Sequence, residues 1–278
     1  MTTSLTEEIP TIGIEPGVYA GIENDHYHGG DGISKSQLDW INRSGAYYQS
    51  KKNQPREQKD YFDVGTVFHG IILEPDKIDS EFTVKPKFDR RTKKGKEEDA
   101  AWEKDHDPKL IRISEDQYFN IRMMAKSLRE IKWIVKHIEK GISEISAYME
   151  DKDTGMMIRC RPDNFHEKES SILDLKTTGD ASPKEWSRSA GKFRYHVQQA
   201  FYTDIMKTFY DIDRFYFVAV EKTEPWSVGV YELDPENVTK GREAYRRNLD
   251  FLASCIETGT WPGYGEQPQT ISLPAWSL

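Results

Sequence analysis

The chain has 278 residues, 36% of them apolar and 12% aromatic, enough for the core of one large domain or two small ones. No apolar run approaches the roughly 18 residues of a membrane span, the polar start lacks the order of a signal peptide, and two cysteines, Cys160 and Cys255, exclude a disulfide framework, a zinc quartet and a four-thiolate cluster, so a reducing cytoplasm is expected. A formal charge of −8, from 39 basic and 47 acidic residues, argues against indiscriminate coating of nucleic acid but leaves room for a confined basic channel.

Residues 1–14 read as a flexible tail, and 15–278 as a single domain without repeats or low-complexity linkers. A helix begins at Ser34-Lys-Ser-Gln, with Ser34 or Ser36 as N-cap and Leu38 and Ile41 on its apolar side. Residues 64–73 form a short helix whose Val64, Val67, Phe68, Ile71 and Ile72 make a buried stripe. The charged stretch 85–109 holds little that could enter a core and reads as a loop with some helix inside it. Ser114 and Gln117 make a capping box that opens a long helix running to about 140, stopped by Gly141.

Three strands follow, over 143–150, 156–161 and 171–176, with Asp153-Thr-Gly155 turning the first into the second. A helix over 195–209, strands over 214–221 and 227–233, and a last long helix from Pro235 to near Gly259 complete the order. The alternation predicts an α/β fold, a central mixed β-sheet flanked by helices.

The chemistry concentrates at two strand ends. Arg161-Pro-Asp163 closes the second of the three strands, and Asp174-Leu-Lys176 closes the third. Side chains alternate along a strand, so Asp174 and Lys176 share a face while Leu175 takes the other. Two neighbouring strands would bring Asp163, Asp174 and Lys176 into one small volume. Paired carboxylates suit a hard divalent cation such as Mg²⁺, and a lysine beside them can orient or help deprotonate a water attacking phosphorus. An Asp-x-Lys triplet alone is common as an edge-of-sheet ion pair. The conjunction with Pro-Asp on the preceding strand and a helix afterwards is what points to chemistry.

Pro162-Asp163, Asp174-x-Lys176 and Gln198-x-x-x-Tyr202 together resemble the PD-(D/E)xK nucleases of the RecB type. More closely, Glu15-Pro-Gly-Val-Tyr19, Gly32-Ile-Ser-Lys-Ser-Gln-Leu38, Gly65-Thr-Val-Phe-His69, Cys160-Arg-Pro-Asp163, Asp174-Leu-Lys-Thr-Thr178 and Arg194-Tyr-His-Val-Gln198 resemble the RecE-type nuclease domain, from about residue 14 to the end. The resemblance implies a restriction-endonuclease-like core and a Mg²⁺-dependent DNA exonuclease, with Mn²⁺ an acceptable substitute. Such an enzyme degrades duplex DNA from the 5′ end and leaves 3′ single-stranded tails for homologous recombination. A homotetrameric ring around DNA ends and a single-strand annealing recombinase as partner are implied with it.

The same resemblance makes His69 a metal ligand with Asp163 and Asp174, gives Glu144 a part in organising the metal, and places Gln198 and Tyr202, four apart on one helix face, behind the site. Without it, His69 is a histidine filling a helix face, Glu144 a strand-end acid, and Gln198 and Tyr202 a helix–sheet contact. Arg90, Arg91 and Arg194 are candidates for DNA phosphates, although charge runs are usually solvated faces. Ser36, near a helix N-terminus, can bind a terminal 5′-phosphate or simply cap. Two other readings stay open: an endonuclease or single-strand-specific nuclease on the same fold, and a non-catalytic DNA-binding or assembly protein.

Overall fold

A computed structural model describes residues 13–52, 54, 60–265 and 267–273. At its centre is a five-stranded mixed sheet in the order Val228–Tyr231, Arg214–Glu221, Ser171–Thr178, Asn164–His166, Ile142–Ser143. Ser171–Thr178 runs parallel to Arg214–Glu221 and antiparallel to Asn164–His166. The expected α/β architecture is therefore present, and the Asp-x-Lys strand lies in the middle of it.

That strand is apolar on both faces because helices cover both. Leu173 and Leu175 pack with Val218 and Val220 against Val67 and Phe68 of the Asp60–Leu73 helix and Ile121, Met124 and Leu128 of the Glu115–Arg129 helix. Ile172 packs with Phe215, Phe217 and Ala219 against Val197, Ala200 and Phe201 of the Tyr195–Met206 helix, which the Pro235–Thr258 helix covers in turn. Side chains such as Phe217 and Leu175 are fully buried, and each contributes about 1.5–3 kcal/mol by leaving water. A second, antiparallel sheet of Gly17–Tyr19, Ser146–Glu150 and Met157–Cys160 adjoins the first.

Several boundaries differ from the expectation. Residues 114–140 are two helices, Glu115–Arg129 and Lys132–Lys140: Ile131 leaves helical geometry (φ −88°, ψ 87°), and the turn lets Ile134 and His137 reach the core. The capping box at Ser114 holds, with Ser114 N–H donating to Gln117 Oε1 at 2.7 Å and Gln117 N–H to Ser114 Oγ at 3.1 Å. The stretch 85–109 contains a thirteen-residue helix, Lys93–Asp105, flanked by a parallel strand pair, Phe82–Lys85 with Ile111–Ser114. A helix at Pro183–Lys192 was not foreseen.

The main correction concerns Asp163. The strand Met157–Cys160 belongs to the second sheet, so Asp163 does not close a neighbour of the motif strand; it immediately precedes Asn164–His166, a three-residue strand that is the true neighbour. Polar residues disguise that strand in the sequence. Asn164 is buried because its amide is engaged by His137 Nδ1 at 2.9 Å, Ser143 Oγ at 3.1 Å and Ile138 O at 3.3 Å. Of the expected tail, residues 1–12 lie outside the described residues, while Ile14 is buried against Tyr27 and Tyr148. No helix among the described residues is long and apolar enough to cross a membrane.

Candidate metal and catalytic centre

Asp163 is placed by the motif strand itself: its Oδ2 accepts the Leu175 N–H at 2.6 Å, and its carbonyl accepts the Glu144 N–H at 3.1 Å. Glu144, between Ile142–Ser143 and Ser146–Glu150, has φ 52°, a left-handed conformation that costs a non-glycine residue on the order of 1 kcal/mol and here joins the two sheets beside Asp163. His69, on the Asp60–Leu73 helix, sets Nδ1 3.6 Å from Asp163 Oδ2. His69, Glu144 and Asp163 each offer one ligand atom, all within 4.8 Å of one another.

Asp174 stands next to this trio and is 1% exposed. Its Oδ2 accepts from Gln198 Nε2 at 2.6 Å, and its Oδ1 pairs with the Lys176 ammonium. Lys176 Nζ also lies 5.2 Å from the centre of the Tyr195 ring. Asp163, Asp174 and Lys176 are thus brought together as expected, with Gln198 behind Asp174. The tight trio of possible ligands contains Glu144 in place of Asp174.

The electrostatics show how burial and neighbouring charges act on this centre. Burial, then Asp163, pushes the Glu144 carboxyl up to about 8. Burial raises Asp174 to about 6 against the pull of Lys176, and raises Asp163 as well. Burial, then Lys176, lowers His69 to about 4, so its imidazole is neutral and its lone pair free to ligate. Burial alone would lower Lys176, but Asp174 and Asp163 outweigh it and hold the ammonium above its usual range. Three crowded carboxyls that resist ionisation and a neutral imidazole fit a divalent cation, which would stabilise the ionised forms.

The remaining predicted residues divide. Tyr202 is near enough to Asp174 and Asp163 for their charge, after burial and Tyr27, to help keep its phenol protonated. Ser34, and not Ser36, caps the Lys35–Arg43 helix, its N–H donating to Gln37 Oε1 at 2.8 Å; Ser36 is exposed in the first turn. Arg194 must be corrected: its guanidinium is bound inside the protein, to Asp39 at 2.8 Å, Asn248 at 2.7 Å and Leu38 O at 3.4 Å, and is not offered to a phosphate. Arg90 and Arg91 are exposed and pair with Asp99 and Asp89, and among the described residues no contact ties them to the centre.

Sequence reasoning missed two neighbours. Tyr195 supports Lys176, and its only signal is its place at the start of the Gln198 helix. Arg161, beside Asp163, donates to Ser146 Oγ at 2.8 Å, Asn24 Oδ1 at 2.9 Å and Ile22 O at 2.8 Å, fixing the wall of a cavity of about 30 Å³ that Glu144 and Glu74 also line.

Residues 34–274 match the family described as a PDDEXK-like domain of unknown function, DUF3799. The chain belongs to this family. PDDEXK nucleases generally depend on a divalent metal, which agrees with the donor set found at the predicted motif. A solved structure of a candidate exonuclease from Eubacterium rectale is similar in fold, with a TM-score of 0.61 over 87% of this chain and 91% of that one, at 11% identity. A phage-related exonuclease from Haemophilus somnus 129PT matches over 50% of this chain and 74% of its own at 14% identity, with a TM-score of 0.30 that carries no argument. No curated protein matches. The Eubacterium rectale structure shares the fold, and the PDDEXK-like assignment comes from the family match; the RecE type is a finer assignment.

Proposed function

We propose that this PDDEXK-like chain is a Mg²⁺-dependent DNA exonuclease of the RecE type, hydrolysing one strand of duplex DNA from its 5′ end to leave a 3′ single-stranded tail. The observation that carries the nuclease reading is the convergence of His69, Glu144 and Asp163 within 4.8 Å beside the Asp174–Lys176 pair. Duplex polarity, a homotetrameric ring and service to a recombinase rest on the sequence resemblance alone.

His69, Glu144 and Asp163, with Asp174 adjoining, would hold the cation. Bound there, it supplies Lewis acidity to the phosphoryl oxygens and lowers the pKa of water. The chain's own residues do the rest. Lys176, kept protonated by its two aspartates, presents a fixed positive charge and donor hydrogens to the water and the phosphate oxygens. Gln198 fixes the Asp174 carboxylate, the Leu175 N–H fixes Asp163, and Tyr195 supports the ammonium, so little reorganisation accompanies the reaction.

End-labelled linear duplex and closed circular DNA, incubated with Mg²⁺ or EDTA, test the reading. The proposal expects Mg²⁺-dependent release of the 5′ label, an intact circle and no turnover by Asp174→Ala. A linearised circle would indicate an endonuclease. Absence of metal-dependent turnover would return the chain to a binding or assembly role.

A further inference from the structure

Between the Pro183–Lys192 and Tyr195–Met206 helices the chain turns a tight corner at Phe193 and Arg194. Arg194 has φ 56° and ψ 45°, a left-handed conformation that is unfavourable for a non-glycine residue. Its guanidinium contacts to Asp39, Asn248 and Leu38 hold it there. The Phe193 carbonyl accepts the Lys35 ammonium at 2.7 Å. The corner is therefore fixed to the Lys35–Arg43 and Pro235–Thr258 helices as well as to its own.

This rigid corner projects an aromatic ring into solvent. Phe193 is 50% exposed, although burial of such a side chain is favourable. The ring leans on Tyr195, with centroids 5.8 Å apart and planes 29° from parallel, and Tyr195 is the ring beneath Lys176. Lys192 brings a second ammonium to 5.5 Å from the Phe193 ring centre. A half-exposed aromatic ring with a cation over it therefore stands one ring away from Lys176. A nucleotide asks for that pair of partners: an aromatic ring for its base and a cation for its phosphate.

We propose that Phe193 is a stacking platform for an unpaired nucleobase of the substrate strand, with Lys192 beside the adjoining phosphate. This rests on the nuclease reading for the identity of the substrate. A base inside an intact duplex is stacked between its neighbours and cannot use the platform, so the contact selects a strand whose reacting end is frayed or single.

The test uses the full chain in EDTA, where binding is read without turnover. Fluorescence anisotropy is measured with single-stranded oligonucleotides that each carry one abasic site, moved along the strand. In the native chain one abasic position should weaken binding by about 5- to 150-fold, the range for one stacked base. Phe193→Ala should lose that penalty and Phe193→Trp should keep it. A full penalty in Phe193→Ala overturns the platform, as does a change in oligomer mass by light scattering with unaltered affinity, which would mark Phe193 as a subunit contact. A parallel Mg²⁺ reaction separates the two ideas. Cleavage with an unchanged abasic pattern in Phe193→Ala removes the platform alone, whereas the penalty without any cleavage keeps the base contact and removes the nuclease reading.

Discussion

Lys176 is held by two aspartates and an aromatic ring, and that environment assigns it the role of a cation. On the proposed mechanism, replacing it with alanine would remove a charge positioned for the transition state, for which losses of at least about 10²-fold in kcat are usual. Lys176→Ala should therefore lose turnover by that factor or more while binding oligonucleotide in EDTA nearly as well as the native chain. Single-turnover kinetics beside an anisotropy titration would check it, and comparable kcat in the variant would remove Lys176 from the chemistry.

Glu144 and Asp174 have folded pKa values of about 8 and about 6, above those of free carboxyls. Their contribution to stability is full below the unfolded pKa values and is lost as pH rises through the folded ones. In EDTA the chain should thus lose thermal stability between about pH 5 and pH 8, beyond any general trend. Mg²⁺ binds the ionised carboxylates, so the rise in Tm it gives should be larger at about pH 8.5 than at about pH 5.5. Equal rises by scanning calorimetry would mean that these carboxyls do not hold the ion.

At this scale the sequence was informative where chemistry needs a rigid spacing. Asp174 and Lys176 share a face by strand alternation, and Gln198 sits behind Asp174 as the family resemblance implies. The fate of Arg194 was not legible, because its partners Asp39 and Asn248 lie 155 and 54 residues away in the chain. Nor could the positive φ of Glu144, which helps group it with Asp163 and His69, be read from a glutamate in a strand-like run.

Elements with strong local signals were placed well: the Ser114 capping box, the apolar stripe over 64–73, and the long helix opened by Pro235. Those that depend on distant partners were not. Asn164–His166 is a strand because it fits between Ser171–Thr178 and Ile142–Ser143, and its Asn164 amide is satisfied by residues of other elements. The Pro235–Thr258 helix supports the centre from behind, pressing on the Tyr195–Met206 helix at Gly241, where a Cβ would fall 2.1 Å from His196 O. Gly241→Ala should force these helices apart at the first turn of the helix that carries Gln198. Overpacking of this kind costs typically about 1–3 kcal/mol, so Tm should fall by several degrees and turnover should fall with it. An unchanged melting curve would show that the helices separate at no cost.

For the whole molecule, an acidic chain of net charge −8 has to approach a polyanion. The proposed homotetrameric ring would reconcile the two if basic residues gather in its channel, and it predicts four chain masses by light scattering at micromolar concentration. A monomer would leave the ring without support, although the fold and the cation site would remain. Those stand on the grouping of side chains from the Asp60–Leu73 helix, the joint between the two sheets and the motif strand. Calorimetric titration with Mn²⁺ tests that grouping most directly. The native chain should bind with a saturable heat signal that Asp163→Asn, Glu144→Gln and His69→Ala each weaken, and that Arg90→Ala leaves unchanged. Undiminished affinity in all three site variants would contradict the account.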